Sequence, residues 1–239
     1  MPKALVRVGG EPLIKRVIQN LAAAGVERIV VNVHHFAQQI IDYLDANRNF
    51  GVDIRISDET DGLLDTGGGI KKAARLFSPD SPVLIHNVDI LSNVDLCKFY
   101  SIAEGKEALR ATADSGTENE RAVDALLLVS RRKTKRYLLF DDNMELVGWT
   151  NIETGEVKSP YPHIDPSKCR MYAFAGIHAL SPRMFRLMSD FPDRFGIIDF
   201  YLKACATHSI VGYAKEDLRL MDIGKLDTLA QADDFLSTL

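Results

Sequence analysis

Cysteine is scarce in this 239-residue chain, and its three positions, Cys97, Cys169 and Cys205, are too scattered for a disulfide scaffold or a zinc site. Long apolar runs are lacking too: no stretch approaches the roughly 20 residues needed to span a membrane. Met1-Pro2-Lys3 leads straight into a mixed segment, without the pattern of a signal peptide. Positive charge is not in excess: 29 Lys and Arg face 33 Asp and Glu for a net charge of -4, which argues against a nucleic-acid surface. No G-x-G-x-x-G follows a strand pattern, so a dinucleotide-binding dehydrogenase is disfavoured. Internal repeats are missing as well. What remains is an ordinary globular composition, 46% hydrophobic and 26% charged, with chain enough to bury a core. A cytoplasmic, reduced protein is the plain expectation.

The first ninety residues alternate between helix and strand patterns. Glu11-Pro12 opens a helix, since Pro is tolerated in the first turn, and Leu13, Val17, Ile18 and Leu21 recur at helical spacing until Gly25. Arg28–Val33 and Pro82–His86 are apolar runs suited to strands buried on both faces. Val52–Ser57 alternates like a strand, and Phe36–Leu44 and Ile70–Phe77 carry helical spacing. This rhythm predicts βαβ units, an α/β fold with a mostly parallel sheet, and ligands beyond the carboxyl ends of the strands. Past Asp95 a helix over Ser101–Glu107 leads into the polar stretch Thr112–Glu120, read as a mobile loop. Strand patterns at Ala125–Ser130, Arg136–Phe140, Leu146–Thr150 and Tyr172–Leu180 predict a small antiparallel insert. Pro182 starts a helix, Ile210–Tyr213 is a strand, and a closing helix runs from Lys225.

Three features could carry chemistry. Asp65-Thr66-Gly67-Gly68-Gly69 opens a helix after a strand and loop, so its backbone could approach a ligand and its first N–H groups could meet an anion. A flexible strand-to-helix connection explains the same run. Asp89 follows an apolar strand, where a carboxylate can hold a hard cation or merely cap a turn. Asp222 stands likewise between an apolar segment and a helix, with capping as the simple account.

Taken in order, Pro2-Lys3-Ala4-Leu5-Val6, Gly9-Gly10-Glu11-Pro12-Leu13-Ile14, Asn32-Val33-His34-His35, Asp65 to Gly69, Asn87-Val88-Asp89 and Met221-Asp222-Ile223-Gly224 resemble the sugar-1-phosphate nucleotidylyltransferases. Within them the pattern is most similar to the mannose-1-phosphate guanylyltransferase-like group, which takes in the heptose-1-phosphate and N-acetylmuramic acid 1-phosphate enzymes. The resemblance implies a single domain over 1–239, Rossmann-like with helices on both sheet faces, and a β-rich sugar-binding part over 125–180. It implies transfer of a nucleoside monophosphate from an NTP to a sugar 1-phosphate, with release of pyrophosphate. GTP or UTP is the expected donor, with GTP and mannose or heptose 1-phosphate slightly ahead. Lys3, Asp89 and Asp222 take the catalytic positions, and the two aspartates hold Mg²⁺. Asp65, Thr66 and Gly67 to Gly69 fall on the nucleotide segment, Ala175 and Gly176 on the sugar pocket, and Asp199 near it. His34 and His35 are expected to be structural. A monomer or homodimer without membrane or nucleic-acid partners completes the expectation.

The pattern departs from the family in two places. A first strand and a loop of the form G-x-G-T-R-x-x-P-x-T, which cradle the triphosphate, are not found ahead of Pro2-Lys3. An upstream start, a shortened chain or a non-catalytic remnant would each account for that. Transfer by this chain is then expected to be weak or absent, with a slot in the core whose edges another strand could fill. A non-catalytic nucleotide, sugar or partner-binding module is the alternative. Val88 also stands where the family has a small residue.

Overall fold

The computed structural model describes residues 1–107, 123–224 and 226–239. Gly9 and Gly10, at φ +58° and +78°, turn a tight hairpin between β1 (Arg7–Val8) and β2 (Glu11–Pro12). Two successive left-handed residues are what such a turn requires. Pro12 then sets the entry to α1 (Leu13–Ala23), which buries Leu13, Ile14, Val17, Ile18 and Leu21 along one stripe. β3 (Arg28–Val33), α2 (Ala37–Ala46) and β4 (Asp53–Asp58) form a βαβ unit, with β3 and β4 paired in parallel from Arg28 opposite Asp53 to Val33 opposite Asp58. Next come α3 (Asp65–Ala73), β5 (Val83–His86), β6 (Ile90–Ser92) and α4 (Leu96–Ala103). Helix α4 begins earlier than the spacing predicts because the Asp95 carboxylate accepts the Lys98 N–H at 2.9 Å, a helix cap.

The second part of the chain supplies β7 (Ala125–Ser130), β8 (Arg136–Phe140), β9 (Leu146–Asn151), β10 (Glu156–Lys158), β11 (Arg170–Leu180), α5 (Pro182–Met188), α6 (Ile197–Ala204), β12 (Ile210–Ala214), β13 (Leu220–Asp222) and α7 (Leu226–Leu236). The polar stretch Thr112–Glu120 and the helix start at Lys225 lie outside the described residues.

The main sheet runs β10-β9-β8-β11-β7-β12, with β5 also paired to β11. The α/β alternation is as the sequence predicts, but the pairing is mixed rather than mostly parallel. Among the described residues parallel pairs join only β3 to β4 and β7 to β12. The reason is β11, an 11-residue strand antiparallel to β5, β7 and β8 that inserts itself where a parallel neighbour was expected. The antiparallel segment is therefore continuous with the central sheet. Its strand β7 is the most buried element, Ala125 to Val129 being at most 1% exposed.

One region of this core is open. A cavity of about 1010 Å³ lies between β3 and β5, with α1 on one side and α3 on the other. Among the described residues, strand β3 is paired only to β4, and β5 only to β11. Among the described residues each keeps one edge unpaired, and Val83, Leu84 and Ile85 stay partly exposed despite their apolar sequence.

Candidate active site

Three distant segments meet at one end of the strands. The Ile223 N–H donates to the Asp89 carbonyl at 2.9 Å, and Asp222 lies opposite Ile90 in the β6–β13 pair, so Asp222 ends β13 beside Asp89, the residue just before β6. Lys3, on a short 3₁₀ turn over Lys3–Leu5, forms an ion pair with the Asp89 carboxylate. A Cβ built on Gly224 would stand 2.8 Å from Asp222 Oδ1 and 3.0 Å from Lys3 Nζ. Lys3, Asp89 and Asp222 therefore form one cluster. Asp222 Oδ1 also accepts the Gly224 N–H at 2.8 Å, which orients that carboxylate.

Two carboxylates and no nitrogen or sulfur donors make a hard oxygen set, which fits Mg²⁺, an ion that commonly takes one or two carboxylates and leaves its other positions to water and phosphate. No group of three or more His, Cys, Asp or Glu suited to a metal occurs among the described residues.

Ala175 and Gly176 lie beside this cluster. The Asn87 N–H donates to the Gly176 carbonyl at 2.9 Å, and Gly176 adopts φ +76° within a register shift of β11. A side chain there would meet Asn87 Nδ2 at 2.8 Å and Ile90 at 3.0 Å, so glycine is needed both for the backbone angle and for the approach. Val88 packs against both apolar clusters of the core. Asp199 is in the first turn of α6 and faces Lys158 of β10 at 3.8 Å.

The glycine run opens a helix, as the sequence reading has it, but two of its N–H groups are not free to meet an anion. Its residues belong to α3 itself, and the N–H groups of Gly67 and Gly68 both donate to the Phe195 carbonyl, at 2.9 and 3.2 Å. Those two donors are taken by the protein. Thr66 Oγ1 accepts the Ile197 N–H at 3.0 Å, and Asp65, at φ +59°, pairs with Arg194 at 2.8 Å. A Cβ on Gly67 would meet the Phe195 ring at 2.3 Å, on Gly68 the Asp193 carbonyl at 2.0 Å, and on Gly69 Glu59 Oε1 at 2.4 Å. The three glycines let α3 lie flat against residues 193–197 and against Glu59.

Glu59 is the residue that sequence reasoning missed. It is 1% exposed, yet its carboxylate accepts from Asn32 Nδ2 at 2.7 Å and from the Leu64 N–H at 3.2 Å. Its carbonyl meets His34 Nδ1 at 2.6 Å, so Glu59 ties the end of β3 to the loop before α3. A glutamate two residues past an alternating strand gives no signal of that in sequence. His34 and His35 pack on each other with ring centres 4.3 Å apart, which keeps them at that joint. His86, at the end of β5, has its pKa lowered by burial, partly offset by the Asn87 carbonyl and by Asp89.

Fold and cluster together define an α/β domain that gathers a lysine and an acidic pair at the ends of its strands, where ligands bind in open α/β sheets. The profile of a MobA-like NTP transferase domain matches residues 1–98. The N-acetylmuramate alpha-1-phosphate uridylyltransferase of Caulobacter vibrioides is 32% identical over 224 residues, covering 91% of this chain and 81% of that enzyme. The mannose-1-phosphate guanyltransferase of Kluyveromyces lactis is 35% identical over 117 residues, 47% of this chain and 32% of that enzyme. Among solved structures, HddC from Yersinia pseudotuberculosis complexed with GMP-PN shares the fold, with a TM-score of 0.69, 21% identity and coverage of 99% of this chain and 90% of that one. The chain belongs to the sugar-1-phosphate nucleotidyltransferases.

Proposed function

We propose that this chain transfers a nucleoside monophosphate from an NTP to a sugar 1-phosphate, and that the NTP is UTP. The carrying observation is the convergence of Lys3, Asp89 and Asp222 from three remote segments onto one point. In the reaction an oxygen of the sugar phosphate attacks the α-phosphorus in line. One P–O bond forms there, the bond to the bridging oxygen breaks, and pyrophosphate leaves. Such chemistry rests on positioning and on neutralising phosphate charge. Lys3 presents its ammonium to the phosphates beside Asp222. Asp89 and Asp222 would hold Mg²⁺, whose charge, when bound, offsets that of the triphosphate. Ala175 and Gly176, the latter bonded to Asn87, place the sugar next to the cluster, and α3 and its Asp65-Thr66 start carry the base and ribose.

UTP is favoured over GTP because the uridylyltransferase relative aligns over 91% of this chain, whereas the guanyltransferase relative aligns over 47%. A sugar of the N-acetylmuramate class is the matching acceptor. The test is pyrophosphate release with Mg²⁺, each NTP and each sugar 1-phosphate, for the native chain and for Asp222→Asn. The variant should lose at least about a hundredfold in rate at unchanged thermal midpoint, the scale of removing one group that meets transition-state charge. Equal rates in the two proteins would overturn the assignment of Asp222, and faster turnover of GTP than UTP would overturn the choice of base.

A further inference from the structure

The loop between β7 and β8 stands apart in charge. Arg131-Arg132-Lys133-Thr134-Lys135-Arg136 is basic at every position but Thr134, in a chain whose net charge is -4. A run of charge is usually a solvated face, and two of these cations are occupied on the protein's own surface. Lys135 pairs with Glu153 at 2.7 Å, and Arg131 lies over the Tyr172 ring, 6.0 Å from its centre. Arg132 is different. Its guanidinium donates to the Phe174 carbonyl at 3.2 Å, and among the described residues no carboxylate pairs with it. A neutral carbonyl takes one of its five donors and leaves the positive charge uncompensated.

The sheet decides where that charge stands. Strand β11 is antiparallel to both β5 and β7, so those two run in the same sense and their carboxyl ends share one end of the sheet. Asn87 follows β5 there, and Arg132 stands two residues past Ser130, the last residue of β7. The two reach β11 from its opposite edges. The Asn87 N–H donates to the Gly176 carbonyl and Arg132 donates to the Phe174 carbonyl, with Ala175 between. Two residues of strand cover at most about 7 Å. The Lys3–Asp89 pair, two residues past Asn87, and the Arg132 guanidinium therefore flank the Ala175-Gly176 segment from its two sides. A hexose set against that segment with its phosphate at the cluster turns its far side toward Arg132.

We propose that Arg132 recognises a carboxylate carried by the acceptor sugar, so that the site prefers an acidic sugar 1-phosphate to its neutral-sugar counterpart. The inference rests on the transfer reading and deepens it. The phosphate of the acceptor is already answered by Lys3 and the aspartates, which leaves Arg132 for a second anionic group. Its planar fork meets both oxygens of a carboxylate at once, with two parallel N–H donors. N-acetylmuramate carries such a group, a lactyl ether on O3, which N-acetylglucosamine lacks.

Calorimetric titration in the presence of Mg²⁺ tests this without turnover. The probes are N-acetylmuramate 1-phosphate and N-acetylglucosamine 1-phosphate, which differ in the lactyl acid alone. The native chain should bind the first at least about tenfold more tightly, the scale of one hydrogen bond between charged groups. In Arg132→Gln, whose amide can still donate to the Phe174 carbonyl, that preference should disappear at an unchanged thermal midpoint. Arg132→Lys, which keeps the charge without the fork, should retain only part of it. Lys133→Gln removes the same charge one residue away and should keep the full preference. Equal or weaker binding of the acid by the native chain overturns the proposal and leaves the transfer reading standing. So does a preference that survives in Arg132→Gln, or one that Lys133→Gln abolishes as completely. If neither probe binds, the acceptor site itself is wrong, and the transfer reading falls together with the inference.

Discussion

Gly68 is the position where two local effects oppose each other most sharply. In an exposed helix, Gly→Ala gains roughly 0.5–1 kcal/mol from the lower entropy of the unfolded chain. Here the added methyl would lie 2.0 Å from the Asp193 carbonyl, and a backbone atom cannot step aside as a side-chain tip can. Gly68→Ala should therefore destabilise, by about 1–3 kcal/mol as for other overpacked sites. Urea unfolding reads this directly, and a stabilised variant would show that residues 193–197 do not hold α3 as described. The aspartates were legible for a different reason. Asp89 and Asp222 each follow a short apolar segment at a strand end, and that place points to a cleft whatever the packing behind it. Glu59 was illegible because its role lies wholly in partners, Asn32 and Leu64, that nothing in the local pattern names.

At the scale of elements, periodicity located the cores of the helices and strands better than their ends. Helical spacing shows only from Ile70, yet α3 starts at Asp65, where the glycine run opens it and the Gly67 and Gly68 donors are satisfied from Phe195, which is remote in sequence. The sheet's mixed pairing was hidden for a related reason: β11 reads as one more strand, and only its neighbours reveal that it runs against β5. Strand β11 also meets helix α6 through His178 and Tyr201, whose side chains share a hydrogen bond inside the core. Burial lowers the His178 pKa to about 3 from an ordinary 6.5. The unfolded chain therefore binds a proton that the folded chain refuses, and stability falls as pH drops below 6.5. Between pH 7 and pH 5 this one residue should remove about 2 kcal/mol, with the loss continuing toward pH 3. His86, shifted in the same direction by burial, adds to the slope. His178→Gln keeps a neutral partner for the Tyr201 hydroxyl and should flatten the dependence, which denaturant unfolding at the two pH values measures. An unchanged slope would mean that His178 takes up its proton without leaving the core.

For the molecule as a whole, the joints that build the site are long in sequence. Lys3 and Asp89 are 86 residues apart, Asp65 and Arg194 129, and Thr66 and Ile197 131. By contrast, the β3–α2–β4 unit and the β8–β9 hairpin close over short loops. Distant pairings form late because the entropy of closing long loops is paid before their contacts reward it. On refolding, the helical signal should return first and the ability to bind nucleotide only afterwards, in a separate slower phase. Stopped-flow circular dichroism beside nucleotide-fluorescence binding resolves the two, and coincident phases would count against this order. In a cell such a chain passes through a stage in which its secondary structure is complete while the ends of its strands still lie bare, and chaperones have that interval in which to engage it.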